Sequence, residues 1–156
     1  MRLLLQDKTD SIKENYLQSL VLLYLPCETF SPKDDAEKTL CVSVDIQDGL
    51  LDVELDIKVY ERIASSHCRK KADVQSMEPL RMQVKLLVGE AFLKAAKDLF
   101  GYLPPWGIVT GIRPAKLAAD YLTHFGAEQT KRILCEKYFV VPERADLCIR
   151  TAQNER

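Results

Sequence analysis

Between residues 39 and 60 every second position is apolar: Leu40, Val42, Val44 and Ile46, then, beyond Asp48-Gly49, Leu51, Val53, Leu55, Ile57 and Val59. A period of two puts alternate side chains on one face of an extended chain and predicts two strands. Asp48-Gly49 supplies the positive φ angles that a two-residue type I′ turn needs, so the strands form an antiparallel hairpin. The turn sets the register, with Ile46 opposite Leu51, Val44 opposite Val53 and Val42 opposite Leu55. One face is then wholly apolar. The other sets Asp45 opposite Asp52 and Ser43 opposite Glu54, a like-charge arrangement that requires water and is unsuited to phosphates.

Elsewhere the pattern is helical or broken. Residues 2–6, RLLLQ, predict a short buried strand, and Ser11-Ile12-Lys13-Glu14 has the S-x-x-E form of a capping box opening a helix. Ile12, Tyr16, Leu20, Leu23 and Tyr24 continue that helix at 3–4 residue spacing until near Pro26. The polar stretch 28–38 reads as a loop, and so does 61–76 with its Arg69-Lys70-Lys71 run; no fourth strand is evident. From Pro79 a long helix carries Leu80, Val84, Leu87, Val88, Ala91, Ala95 and Leu99 on one stripe and Leu86, Leu93 and Phe100 on a second. Apolar on two sides, it is expected to lie between the hairpin sheet and the C-terminal helices. Gly126 and Pro142 punctuate three further short helices, at 114–124, 127–138 and 142–154. The expected fold class is α+β: a β-α-β-β-α ferredoxin-like half with an antiparallel hairpin over residues 1–104, then a small bundle of three short helices over 105–156.

Composition narrows the function classes. The chain has 156 residues, 47% hydrophobic and 29% charged, enough apolar surface to exclude disorder as a whole. Its net charge of -1 provides no global positive field for nucleic acid or an anionic membrane. The longest apolar run, LVLLYL at 20–25, is far short of a membrane span, and the start of the chain lacks a signal-peptide cleavage pattern, so a cytoplasmic protein is expected. The five cysteines, Cys27, Cys41, Cys68, Cys135 and Cys148, show no C-x-x-C spacing and are expected as free buried thiols, with no metal or cofactor held in this chain. His67 and His124 stand far apart without H-x-x-x-H or H-E spacing, and nothing pairs a nucleophile with a base, so no catalytic residue is assigned.

The most specific stretch is "WGIVTGIRPAKL", residues 106–117, which holds the single tryptophan. Gly107 and Gly111 lack the preceding strand and the spacing of a nucleotide-binding loop. Pro114 suits the first position of a helix, which places Arg113 at the helix start and Lys116 three residues on, where free N–H groups favour an anion. Trp106, Thr110, Arg113 and Lys116 are accordingly the candidate domain-interface or anion-contact residues. A purely structural role competes: the glycines turn the chain, Trp106 plugs the junction between the α/β part and the helices, and Arg113 bonds nearby carbonyls.

The run "PPWGIVTGIRPAKLAADYL", continuing through "ILCEKYFVVPERADLCIRTAQNER", resembles the segment just ahead of the radical S-adenosylmethionine domain in HemZ-type oxygen-independent coproporphyrinogen III dehydrogenases. The W-G-I-x-T-G-I-R-P-x-K-L core carries the resemblance; residues 1–100 agree only in element order. In that family a catalytic barrel follows, whose C-x-x-x-C-x-x-C thiolates hold a [4Fe-4S] cluster that binds S-adenosylmethionine. That motif does not occur in this sequence. The resemblance therefore implies a non-catalytic N-terminal accessory domain, expressed as a fragment or truncated, whose partner is the radical S-adenosylmethionine catalytic domain in cis. Two rival classes remain. A nucleic-acid-binding module would use the basic residues Lys116, Lys131, Arg132, Lys137, Arg144 and Arg150, but the acidic hairpin face and the lack of aromatic pairs for base stacking disfavour it. A self-standing interaction protein would use the surface around Trp106.

Overall fold

The computed structural model describes residues 1–31 and 37–155. The chain divides into two compact units, Met1–Leu103 and Pro104–Arg156, and its fold class is α+β.

In the first unit the elements are β1 (Arg2–Asp7), α1 (Glu14–Leu22), β2 (Lys38–Gln47), β3 (Leu50–Val59), β4 (Arg62–Lys71) and α2 (Leu80–Phe100). The strands form one sheet in the order β1-β2-β3-β4, with β1 parallel to β2 and the remaining pairs antiparallel. The hairpin register is the expected one: Ile46, Val44 and Val42 face Leu51, Val53 and Leu55. Asp48 and Gly49 turn the chain with φ of 52° and 78°, as a type I′ turn demands.

Two expectations are corrected here. Residues 62–71 are a strand, not a loop, so the element order is β-α-β-β-β-α. Its polar sequence, RIASSHCRKK, hides the period of two because β4 is an edge strand whose outer face meets water. Only Cys68 of the strand is fully buried, while Ser66 Oγ turns inward and donates to the Ala91 carbonyl at 2.6 Å. Secondly, β1 lies directly beside β2, making an unsplit βαβ crossover followed by a meander in place of the ferredoxin-like split unit.

The core of this unit is the apolar sheet face, with Leu40, Val42, Val44, Leu51, Val53, Leu55 and Ile57 all buried, covered by α2 along β3 and β4. On α2 the buried positions run almost around the helix, from Val84 and Leu87 through Phe92 and Leu93 to Leu99. Tyr24 explains part of the second stripe: its ring stacks on Phe100 at 4.9 Å and meets Phe92 edge-on at 5.9 Å, while its hydroxyl donates to the Tyr102 carbonyl at 2.8 Å. Burial pushes the Tyr24 phenol up to about 12. The helix ends at Gly101, whose left-handed φ of 85° lets its N–H reach the Lys97 carbonyl at 2.8 Å.

The capping box does not form. Helix α1 begins at Glu14 with Lys13 as its cap residue and no side-chain cap bond, and it ends at Leu22, a turn earlier than the approach to Pro26. Asp7, at the end of β1, takes the Ser11 N–H (2.7 Å) that Glu14 would accept in a capping box, and its carboxylate also accepts the N–H groups of Thr9 (2.8 Å) and Ile12 (2.8 Å) together with the Thr9 hydroxyl (2.6 Å). Of the loop expected over 28–38, residues 32–36 lie outside the described residues, and strand β2 already begins at Lys38.

The second unit contains α3 (Pro114–Leu122), α4 (Ala127–Glu136) and α5 (Pro142–Asn154). Pro114 and Pro142 occupy first-turn positions, where the missing N–H costs nothing. Leu117, Ala118, Tyr121, Ile133, Leu134, Tyr138, Ala145, Cys148 and Ile149 form its core. Tyr121 and Tyr138 share a buried hydroxyl–hydroxyl bond of 3.0 Å. Among the described residues no helix is long and apolar enough to cross a membrane.

Candidate functional site

The loop from Pro104 to Arg113 enters α3 and is fixed against the α4–α5 connection by its backbone. Ile108 N–H donates to the Tyr138 carbonyl at 2.9 Å, and Val141 N–H donates to the Pro105 carbonyl at 3.1 Å. Between these two bonds Gly107 sits with φ of 57°, so close to the neighbouring strand of backbone that a Cβ would stand 2.0 Å from the Tyr138 oxygen and 2.5 Å from the Phe139 carbonyl carbon. No side chain fits there. Gly111 also has a left-handed φ, 71°, yet a Cβ on it would meet nothing within 4 Å. The two glycines thus do different work: Gly107 permits close approach, and Gly111 only sets the direction of the chain.

The candidate residues fall on both sides of this division. Trp106 is half-buried, and the Arg144 guanidinium of α5 lies over its ring at 5.6 Å from the centroid. Its carbonyl accepts the Val109 N–H at 3.1 Å, closing a turn. Ile108 is buried and Thr110 half-buried. Beyond Gly111 the character changes: Ile112, Arg113 and Lys116 are exposed. Arg113 has extended backbone as the cap residue of α3, and its carbonyl accepts the N–H groups of Lys116 (3.0 Å) and Leu117 (3.2 Å). No acidic residue stands in the first turn of α3, and neither Arg113 nor Lys116 forms an ion pair among the described residues. The motif is therefore structural from Trp106 to Val109 and open to solvent at Gly111, Ile112, Arg113 and Lys116.

The cysteines are free. Cys68 and Cys148 are buried as expected; Cys41 and Cys135 are only half-buried, and Cys27 is exposed, which corrects the expectation of uniformly buried thiols. Burial pushes the thiols of Cys41, Cys68, Cys135 and Cys148 up, away from the reactive thiolate. Among the described residues the single convergence of three or more metal-ligating side chains contains no cysteine, so these residues do not fit a [4Fe-4S] cluster.

That convergence was missed from sequence. His67, which lacks a partner within its own segment, is hydrogen-bonded through Nε2 to Asp52 Oδ1, and Arg69 Nε donates to Asp52 Oδ2 at 3.2 Å. The signal was the like-charge hairpin face itself, which called for cations from a neighbouring strand. Slight burial raises the Asp52 carboxyl, but the His67 and Arg69 interactions outweigh it and hold the group below the usual carboxylate range. On the other side Asp45, opposite Asp52, is approached by Lys8 Nζ at 3.5 Å. The chain matches no protein-family model, no curated protein and no solved structure.

Proposed function

We propose that this chain is the non-catalytic N-terminal accessory domain of a cytoplasmic radical S-adenosylmethionine protein of the oxygen-independent coproporphyrinogen III dehydrogenase type, and that it docks on the catalytic barrel in cis. The observation that carries this reading is the division of the W-G-I-x-T-G-I-R-P-x-K-L stretch: its first half is consumed in fixing the loop to the Tyr138–Val141 segment, leaving Ile112, Arg113 and Lys116 displayed on a rigid base. An exposed isoleucine beside two cations without ion-pair partners suits a surface with an apolar centre and carboxylates at its edge. Hydrogen abstraction from porphyrinogen propionate side chains, the [4Fe-4S] cluster and S-adenosylmethionine would belong to the barrel.

The reading frame beyond codon 156 is the first test. Continuation into C-x-x-x-C-x-x-C is expected; a stop codon would replace this reading with a self-standing interaction protein. In the continuing protein, Arg113→Glu combined with Lys116→Glu is expected to lower activity about tenfold through the weakened contact while leaving the fold of this region intact. Full activity in that variant would remove the docking role.

A further inference from the structure

The open face of the sheet carries donor chemistry that the motif loop does not use. Asp52 and Glu54 lie two residues apart on β3 and share the solvent side of the sheet, while β4 places His67 opposite Glu54 and Arg69 opposite Asp52. One donor atom from each of Asp52, Glu54 and His67 lies within 4.8 Å of the other two. His67 Nε2 contacts Asp52 Oδ1 directly and is 3.9 Å from Glu54 Oε1. Donors bound to one zinc ion at about 2.0–2.2 Å stand somewhat closer together than this. Rotation of Glu54, whose side chain is 68% exposed, brings its carboxylate nearer, and an ion entering the site replaces the hydrogen bond between His67 Nε2 and Asp52 Oδ1.

Position and charge both favour a cation here. The donors come from the middle of two ten-residue strands in continuous register, so their Cα positions are fixed before any ion arrives. Arg69 holds one oxygen of Asp52 and leaves the other directed at the imidazole, the kind of outer contact that orients a metal-ligating carboxylate. Asp52, Glu54 and Asp45, directly opposite Asp52, outnumber the nearby cations Arg69 and Lys8 and leave the face acidic. Oxygen donors alone would suit magnesium or calcium; an imidazole contributed by the second strand moves the preference to zinc and its neighbours.

We propose that Asp52, Glu54 and His67 form a three-ligand surface site for a divalent ion of the zinc type, with its remaining coordination positions open to water. The site is independent of the accessory-domain reading and stands or falls separately from it.

The chain's two histidines make the test internal: His124 is an exposed residue of the other unit and serves as the control for His67. In a titration of the full chain with zinc chloride followed by the imidazole resonances, the His67 signals are expected to move saturably with one ion per chain while those of His124 stay in place. His67→Gln and Asp52→Asn should each weaken binding at least about tenfold, and magnesium chloride at the same concentration should move neither histidine. The proposal is overturned if zinc leaves both histidines unmoved or shifts them alike, or if His67→Gln binds zinc undiminished, which would assign the ion to thiols such as the exposed Cys27. The comparison between the two histidines in the unsubstituted chain holds even if a variant folds poorly.

Discussion

At Gly107 and Gly111 the same residue type, four positions apart and with similar left-handed φ, faces opposite surroundings. Gly107→Ala drives a methyl group into the Tyr138 and Phe139 carbonyls, backbone atoms that cannot swing aside, the Tyr138 oxygen being held by the Ile108 N–H. Gly111→Ala bears only the backbone strain of a left-handed alanine, about 1–2 kcal/mol. The expected result is that Gly107→Ala destabilises the helical unit by at least about 3 kcal/mol, and that Gly111→Ala costs clearly less, read from denaturant midpoints followed by the fluorescence of the lone Trp106. Equal costs would show that close approach at Gly107 is not what the position demands. The sequence displays both glycines identically; the distinction rests on a carbonyl contributed from 31 positions further along the chain (138 − 107).

Among the elements, α1 shows how a local signature yields to a stronger competitor. Ser11-x-x-Glu14 has the right spelling for a capping box, yet Asp7 takes the Ser11 N–H that Glu14 would accept, together with the Thr9 and Ile12 N–H groups, while the Ser11 hydroxyl bonds to Thr9 and not to Glu14 N–H. Asp7→Ala is expected to cost about 1–3 kcal/mol, measurable as a lowered urea midpoint, whereas Glu14→Ala, which breaks no cap bond, should change it little. The reverse outcome would restore the capping box. The hairpin was legible because period and turn chemistry agree over both strands: a one-residue slip would expose every member of the apolar set. Strand β4 was illegible because an edge strand with a watered face needs few apolar residues; its assignment comes from pairing with β3, which a single segment cannot announce.

At the scale of the molecule, three carboxylates among the described residues tie stability to pH. Asp7, Glu28 and Asp52 are each pushed up by loss of solvent and pulled down further by their partners: N–H and hydroxyl donors on Asp7, Lys38 and the N-terminal ammonium on Glu28, and His67 and Arg69 on Asp52. Glu28 ties the starts of β1 and β2 together, accepting from the Met1 ammonium at 3.0 Å and from Lys38 Nζ at 2.7 Å. A carboxyl group whose folded pKa lies below its unfolded value, about 3.9–4.3, contributes stability above that pH and loses the contribution as pH falls through the folded value. Stability is therefore expected to hold from pH 7 down to about 5 as far as these groups are concerned, and to decline below about 4. Glu28→Gln should lower the urea midpoint at pH 7 and flatten the acid decline; an acid limb identical to that of the unsubstituted chain would mean that the buried ion pairs contribute nothing net.

The sequence by itself determined the α+β class, the hairpin and its register, the long helix from Leu80, the three short helices with prolines at two of their starts, and the positions of the motif residues. Each of these is settled by a local period or by the backbone chemistry of Gly and Pro, which act within a few residues of themselves. Tertiary structure alone decided that residues 62–71 pair as a strand, that β1 lies against β2 without an intervening strand, that the W-G-I-x-T-G-I-R-P-x-K-L stretch divides into a fixed half and a displayed half, and that His67 meets Asp52 and Glu54. Those outcomes depend on hydrogen bonds and charges contributed by residues distant in the chain, and such partners acquire neighbours only when the sheet and the helices have assembled.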